Sequence, residues 1–310
     1  MSFGSMIEKI VAKSNPTVVG LDPTLEMIPR FILDSSLEKH GKGLEAAAEA
    51  VLSFNKALID ALYDIVPAVK PQCAYYEMLG WPGVKALKET IDYAKSKDLF
   101  VIIDGKRNDI GTTMQAYANA HLGYSDIFGE SISAFGGDAL TVNGYLGTDG
   151  IKPLLTICDE EDKGIFVLCK TSNKSSGELQ DKLIDGQSVY SHMGDLCRQW
   201  GEDTSSNYGY SAVGAVVGAT YPEQLEELRR QLPNTYFLVP GYGAQGGKAQ
   251  GIAAAFDSNG LGAIVNSSRA IMCAYKNKGF DEKDFALAAR EEALRMRDEL
   301  LAYIAKPQLK

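Results

Sequence analysis

A chain of 310 residues with 45% hydrophobic and 23% charged side chains has an ordinary globular composition, and it is long enough to bury a large core without disulfides or a structural metal. Its formal charge of −9, with no run of basic residues, argues against a nucleic-acid-binding surface. No stretch approaches the roughly 18 apolar residues of a membrane span, and the three histidines (His40, His121, His192) lack metal-ligand spacing.

In chain order, the opening segment MSFGSMIEKIVAKSN reads as a short amphipathic helix without the apolar core and cleavage site of a signal peptide. Cys73, Cys158, Cys169, Cys197 and Cys273 form no CxxC pair, so reduced thiols and a cytoplasmic location are expected. Short, nearly uniformly apolar runs follow at 17–21, 65–69, 99–103, 139–142, 165–169, 213–217, 236–239 and 263–265. Strands buried on both faces read this way, as in a parallel sheet covered by helices. Helical patterns lie among them at 44–63, 84–96, 222–231 and 247–256, and a last one spans 282–304. Eight strands alternating with helices predict an α/β chain forming one (β/α)₈ TIM barrel over residues 1–310. An open doubly wound sheet is the alternative, weakened because no strand is followed by GxGxxG. Insertions are expected after the first strand (23–42) and after the fifth (171–210); the second carries its own amphipathic stretch at 189–200.

Polar residues stand where the apolar runs end. Asp22 follows the first run, Lys70 the second, and Asp104 with Lys106 the third. Asn143 follows the fourth, Thr171 and Ser172 the fifth, Gly241 the seventh, and Asn266 to Arg269 the eighth. In a barrel all of these emerge at the C-terminal face, where active sites of this architecture lie. Asp22 or Asn143 alone could equally be a helix cap. Lysine is a poor cap, and on the end of a buried strand it needs a carboxylate partner. Asp104 and Lys106 are two residues apart and point the same way on an extended backbone; Asp109 and Thr113 are four apart and share a helix face.

The segment from Asp104 to Thr113 carries the DxKxxDIxxT pattern of the orotidine 5′-phosphate decarboxylases, and the chain resembles the longer branch of that family from about residue 16 to 275. Further landmarks occur in order: Asp22 in VVGLDP, Lys70 in VPAVKP, Thr171-Ser172-Asn173, the loop PGYGAQGG containing Gln245, and Asn266-Ser-Ser-Arg269. One departure is visible: Lys174-Ser175 stand where the family often has Pro-Gly. The resemblance implies conversion of orotidine 5′-phosphate (OMP) to UMP without cofactor or metal. It implies an alternating array of Lys70, Asp104, Lys106 and Asp109, in which Lys106 protonates the C6 carbanion. Asp109 and Thr113 would reach the site of a neighbouring subunit, so a homodimer is expected. Asp22 and Lys70 would hold the ribose, and Thr171 and Ser172 the pyrimidine edge, with Asn143 among the substrate contacts. Arg269 offers a bidentate fork for phosphate, beneath a closing loop that carries Gln245.

Two other readings stand beside this one. Related barrels with DxKxxD use a divalent metal on sugar-phosphate enolates, or a Schiff-base lysine. They usually need an extra carboxylate at a strand end, and Lys70 occupies the position after the second strand. A non-enzymatic phosphometabolite-binding regulator explains the paired lysines and aspartates poorly.

Overall fold

The computed structural model describes residues 3–204, 207–243 and 246–309. Eight parallel strands succeed one another around a closed ring: β1 (Thr17–Leu21), β2 (Ala68–Pro71), β3 (Phe100–Arg107), β4 (Ala139–Val142), β5 (Gly164–Lys170), β6 (Val213–Val217), β7 (Phe237–Val239) and β8 (Ala263–Ser267). β8 pairs back onto β1, with Thr17 beside Val265 and Val19 beside Ser267. The ring therefore has no free edge, and the open-sheet alternative is excluded.

The uniformly apolar runs follow from burial on both faces. One set of side chains points into the barrel, among them Val18, Ala68, Phe100, Ile102, Phe166, Val216, Leu238 and Ile264. The alternate set, including Val19, Val69, Val101, Ile103, Leu140 and Val167, packs against the helices. The N-terminal helix (Gly4–Lys13) closes the bottom of the barrel. Phe3, Met6, Ile7 and Ile10, spaced along one face, join the interior cluster and are fully buried. The Phe3 ring lies 4.8 Å from that of Phe166. Gly164 makes this possible, since a Cβ there would stand 2.5 Å from the Phe3 ring.

Several boundaries differ from the sequence expectations. β2 starts at Ala68 rather than at 65 because Ile65 and Val66 donate their N–H groups to Leu62 at the end of the preceding helix, and Pro67 has none to give. β3 continues to Arg107, with a register shift against β4 between Ile103 and Arg107. The pattern at 247–256 breaks into a short helix (Ala249–Ile252) and a 3₁₀ turn (Ala253–Ala255), and the last long helix begins at Phe285. Two barrel helices carry no range in the sequence reading: Gly111–His121 buries only three side chains, and Thr148–Glu161, though Ile151, Leu154, Ile157 and Cys158 share one face, contains Pro153. The acidic run at 159–162 closes that second helix, with Asp162 as its left-handed cap. The first insertion supplies a helix (Arg30–His40) that packs on Leu44–Leu62. The second is shorter than expected: Val189–Gly201 packs on β5 and β6 as the barrel's own fifth helix. The added material is a 3₁₀ turn (Lys174–Glu178) and a two-stranded ladder pairing Leu183–Ile184 with Gln187–Ser188.

Candidate active site

At the C-terminal mouth of the barrel, Asp104 stands between two ammonium groups. Lys70 Nζ donates to Asp104 Oδ2 at 2.6 Å, and Lys106 Nζ donates to Asp104 Oδ1 at 2.6 Å. Gln72 Nε2 (3.0 Å) and Thr141 Oγ1 (2.7 Å) donate to the same carboxylate. Neighbouring strands β2, β3 and β4 thus converge on one anionic centre. The Lys70 and Asp104 side chains are only 7% and 8% exposed, whereas Lys106 is 45% exposed and opens to the mouth.

Charge placement sets the protonation states. Burial pushes the Asp104 carboxyl upward, but the ammoniums of Lys70 and Lys106 outweigh it and hold it well below the usual carboxylate range. Burial likewise disfavours the charged form of Lys70, yet Asp104 and then Asp22 overcome it and raise its pKa. Lys70 therefore stays an ammonium and Asp104 a carboxylate across the physiological range.

The approach of Lys106 to Asp104 is not that of an ordinary extended strand. Lys106 has φ 48°, in the left-handed region, which costs a non-glycine residue of order 1 kcal/mol. Its N–H is held by Thr141 Oγ1 at 3.0 Å, inside the register shift between β3 and β4. Thr141 thus fixes both the strained backbone of Lys106 and the carboxylate it meets. Next in sequence, Arg107 turns aside to pair with Glu77 and donates to His121 Nε2.

The other expected residues divide into those left open and those engaged locally. Asp22 Oδ1 is buried without a hydrogen-bond partner among the described residues, as is Asn266 Oδ1 on adjacent β8. Arg269 is exposed at the start of the short helix Arg269–Met272 and makes no ion pair among the described residues. Asn143 Oδ1 accepts from Tyr145 N at 3.0 Å, the local turn that a cap-like role requires. Thr171 Oγ1 donates to Asn173 Oδ1 and accepts from Gln180 Nε2, while Ser172 is held through its carbonyl by Thr220. Asp109 is half-buried and accepts from Ile110 N; it joins no lysine of its own chain among the described residues, and Thr113 is exposed. Gln245 lies outside the described residues. Its loop contains Gly241, Gly243 and Gly246 at positive φ, and Gly247 N donates to Gly241 O across its base.

Across the mouth, the inward residues near the tops of β5, β6 and β7 are Leu168, Val216 and Leu238. The site therefore has a charged half and an apolar half, and the apolar wall strengthens the field of the charges facing it. Gln72 and Thr141 were missed in the sequence. Both could have been found as polar residues at strand positions in phase with Lys70 and within the fourth apolar run. Lys170, a wholly buried strand-end lysine on β5, was missed as well, although the rule that singled out Lys70 applies to it equally.

Comparison with known proteins agrees with this geometry. Residues 17–279 match the model of the orotidine 5′-phosphate decarboxylase / HUMPS family. The chain is 45% identical to an orotidine 5′-phosphate decarboxylase of Rhodopirellula baltica, over 97% of its own length and 99% of the relative's. It is 39% identical to that of Caldicellulosiruptor bescii, over 97% and 98%. The solved structure of Leishmania donovani OMP decarboxylase superimposes with a TM-score of 0.70 at 30% identity, covering 96% of this chain and 99% of that one. By family model, by identity along nearly its whole length and by the closed barrel that carries its charged mouth, the chain belongs to the orotidine 5′-phosphate decarboxylase family.

Proposed function

We propose that this chain decarboxylates OMP to UMP and CO₂, without cofactor or metal, at the mouth formed by Lys70, Asp104 and Lys106. The observation that carries the reading is the Lys70–Asp104–Lys106 bridge, with both contacts at 2.6 Å and Lys106 open to the mouth. Loss of CO₂ from C6 leaves an electron pair with no conjugated sink, so fixed positive charge in a water-poor site must stabilise it. Lys106 is oriented by its contact with Asp104 and, as an ammonium, can pass a proton to C6 once the C–C bond has broken. Asp104 lies where the substrate carboxylate would crowd it, and departure of CO₂ relieves that repulsion. Both Asp104 oxygens already accept from ammonium, amide or hydroxyl donors, which leaves little room for a metal on this carboxylate.

Substrate contacts follow the open groups. Asp22 Oδ1, without a partner among the described residues, would accept from a ribose hydroxyl beside Lys70, and the exposed Arg269 would grip the phosphate with Gln245. Thr171 and Ser172 would meet the pyrimidine edge, with Asn143 near the rim. In this reading the whole of 1–310 works as one cytoplasmic domain; its five free thiols, four of them buried, accord with that location.

The functional unit proposed is a homodimer. Asp109 does not complete the array of its own chain, so the fourth charge would come from a second copy, with Thr113 beside it. Ile110, Tyr145 and Leu146 are exposed on the loops after β3 and β4, and Ile110 adjoins Asp109 in sequence, an apolar edge that suits a subunit contact.

The test is OMP turnover, followed by absorbance, in protein treated exhaustively with chelator. Full activity is expected there, and Lys106→Ala should lose at least about a thousandfold in kcat while remaining a folded dimer. Near wild-type turnover of that variant removes the mechanism. Activity that disappears with chelator, or borohydride trapping of a substrate adduct, would transfer the reading to the metal-dependent or Schiff-base relatives.

A further inference from the structure

Lys170 ends β5 with 0% of its side chain exposed, and the reaction proposed above makes no use of it. A buried ammonium is tolerated only where partners replace water. Here Nζ donates to Asp181 Oδ1 at 2.6 Å and to Ser176 Oγ at 3.1 Å, and stands 4.4 Å from the centre of the Tyr221 ring. Ser176 and Asp181 lie on the returning limb of the segment that follows β5. One cation therefore draws that limb back onto the strand end.

The residues enclosed by this closure are Thr171, Ser172 and Asn173, and each is held by a neighbour of a Lys170 partner or by the partner itself. Gln180, adjacent to Asp181, accepts the Thr171 N–H at 2.9 Å and donates to Thr171 Oγ1 at 2.8 Å. Tyr221, which covers the ammonium, donates its hydroxyl to Asn173 O at 3.1 Å, and the adjacent Thr220 donates to Ser172 O at 3.1 Å. Gly218 lets the segment lie against β6, because a Cβ there would stand 2.8 Å from the Ser172 backbone. Lys174 and Ser175, which replace the Pro-Gly expected after Asn173, are exposed in the 3₁₀ turn, where Ser175 Oγ accepts from Asn173 Nδ2 at 3.2 Å. The buried cation anchors the limb that encloses the other contacts.

We propose that Lys170 and Asp181 form a latch that positions Thr171–Ser172–Asn173, and so sets how tightly the pyrimidine ring is held without touching the phosphate or the reacting carbon. They are positioning residues for base recognition, and the inference rests on the decarboxylase reading. The Lys70–Asp104–Lys106 group stands on β2 and β3 and Arg269 opens the helix after β8, so phosphate and ribose binding should not depend on the latch.

The test compares Asp181→Asn, Asp181→Glu and Lys170→Met. OMP turnover is measured together with calorimetric Kd values for UMP and for ribose 5-phosphate, which lacks the base. Asp181 is 46% exposed, so its substitutions should leave the barrel folded even if Lys170→Met does not. In Asp181→Asn, KM for OMP and Kd for UMP should each rise about tenfold, with kcat within about threefold and ribose 5-phosphate binding unchanged. Asp181→Glu should restore most of the UMP affinity. Equal weakening of UMP and ribose 5-phosphate, or no change in either, overturns the latch. An unsubstituted protein that neither consumes OMP nor binds UMP would instead sink the decarboxylase reading and the latch with it.

Discussion

The two ends of the barrel are filled by opposite means: the bottom is sealed from water, whereas the mouth is open at Lys106. At the bottom, the N-terminal helix inserts Phe3, Met6, Ile7 and Ile10, all at 0% exposure, against Phe166 and Tyr236. Such contacts are non-directional, and each contributes in proportion to the area buried. At the mouth, β2, β3 and β4 bury Lys70 and Asp104 and hold Lys106 in a left-handed conformation. Groups placed this way gain little net stability, because desolvation offsets most of their attraction. The bottom holds the barrel closed, and that closure lets the mouth keep charges in an arrangement that a looser scaffold would relax.

Substitutions at the bottom should therefore lower stability alone, whereas those at the mouth should lower activity as well. The largest effect is expected from Asp104→Asn, which removes the negative charge shared by two ammoniums while preserving shape. OMP turnover should fall by at least about a thousandfold, and the uncompensated Lys70 should cost about 3–5 kcal/mol of stability. Turnover within tenfold of wild type would mean that the bridge is structural. At the bottom, Phe3→Ala should lose about 3–4 kcal/mol in denaturant unfolding with kcat unaltered. A kcat that falls in step with stability there would show that the two ends are not independent.

This division also decided what could be read in the sequence. The barrel was legible because each strand is buried on both faces, so its apolar run needs no neighbour to interpret it. The ionic residues were legible because charge at the end of such a run is costly without a partner. Thr141 was hidden because one hydroxyl in an apolar strand is compatible with plain burial. The left-handed backbone of Lys106 was hidden because it arises from a register shift between β3 and β4, a property of two strands together. Helix Thr148–Glu161 was obscured by Pro153, and the helical pattern at 247–256 overran because composition does not mark where an α turn tightens to 3₁₀. The Lys70–Asp104–Lys106 cluster was thus readable, while its strain and its supporting hydrogen bonds were not.

The smallest expected effect concerns neither end but the flank of β3, and acid should expose it first. His121 is buried, stacked on Phe135 at 5.1 Å, and its Nε2 accepts from Arg107. Burial, and then the nearby Arg107 charge, lower its pKa to about 4 from the ordinary 6.5. The unfolded chain therefore takes up this proton near pH 6.5, while the folded protein resists it until near pH 4. Between those values the unfolded state binds more protons, so stability must fall as the pH falls. The mouth should not contribute in this window, because the depressed Asp104 carboxylate loses its stabilising effect only below the ordinary carboxylate range. The apolar contacts at the bottom do not titrate at all. Unfolding in denaturant at pH 7 and at pH 5 should differ by about 2 kcal/mol in the wild type. His121→Gln, which keeps an acceptor for Arg107 but cannot take a proton, should remove most of that difference. Parallel losses in the two proteins would place the acid-sensitive group elsewhere.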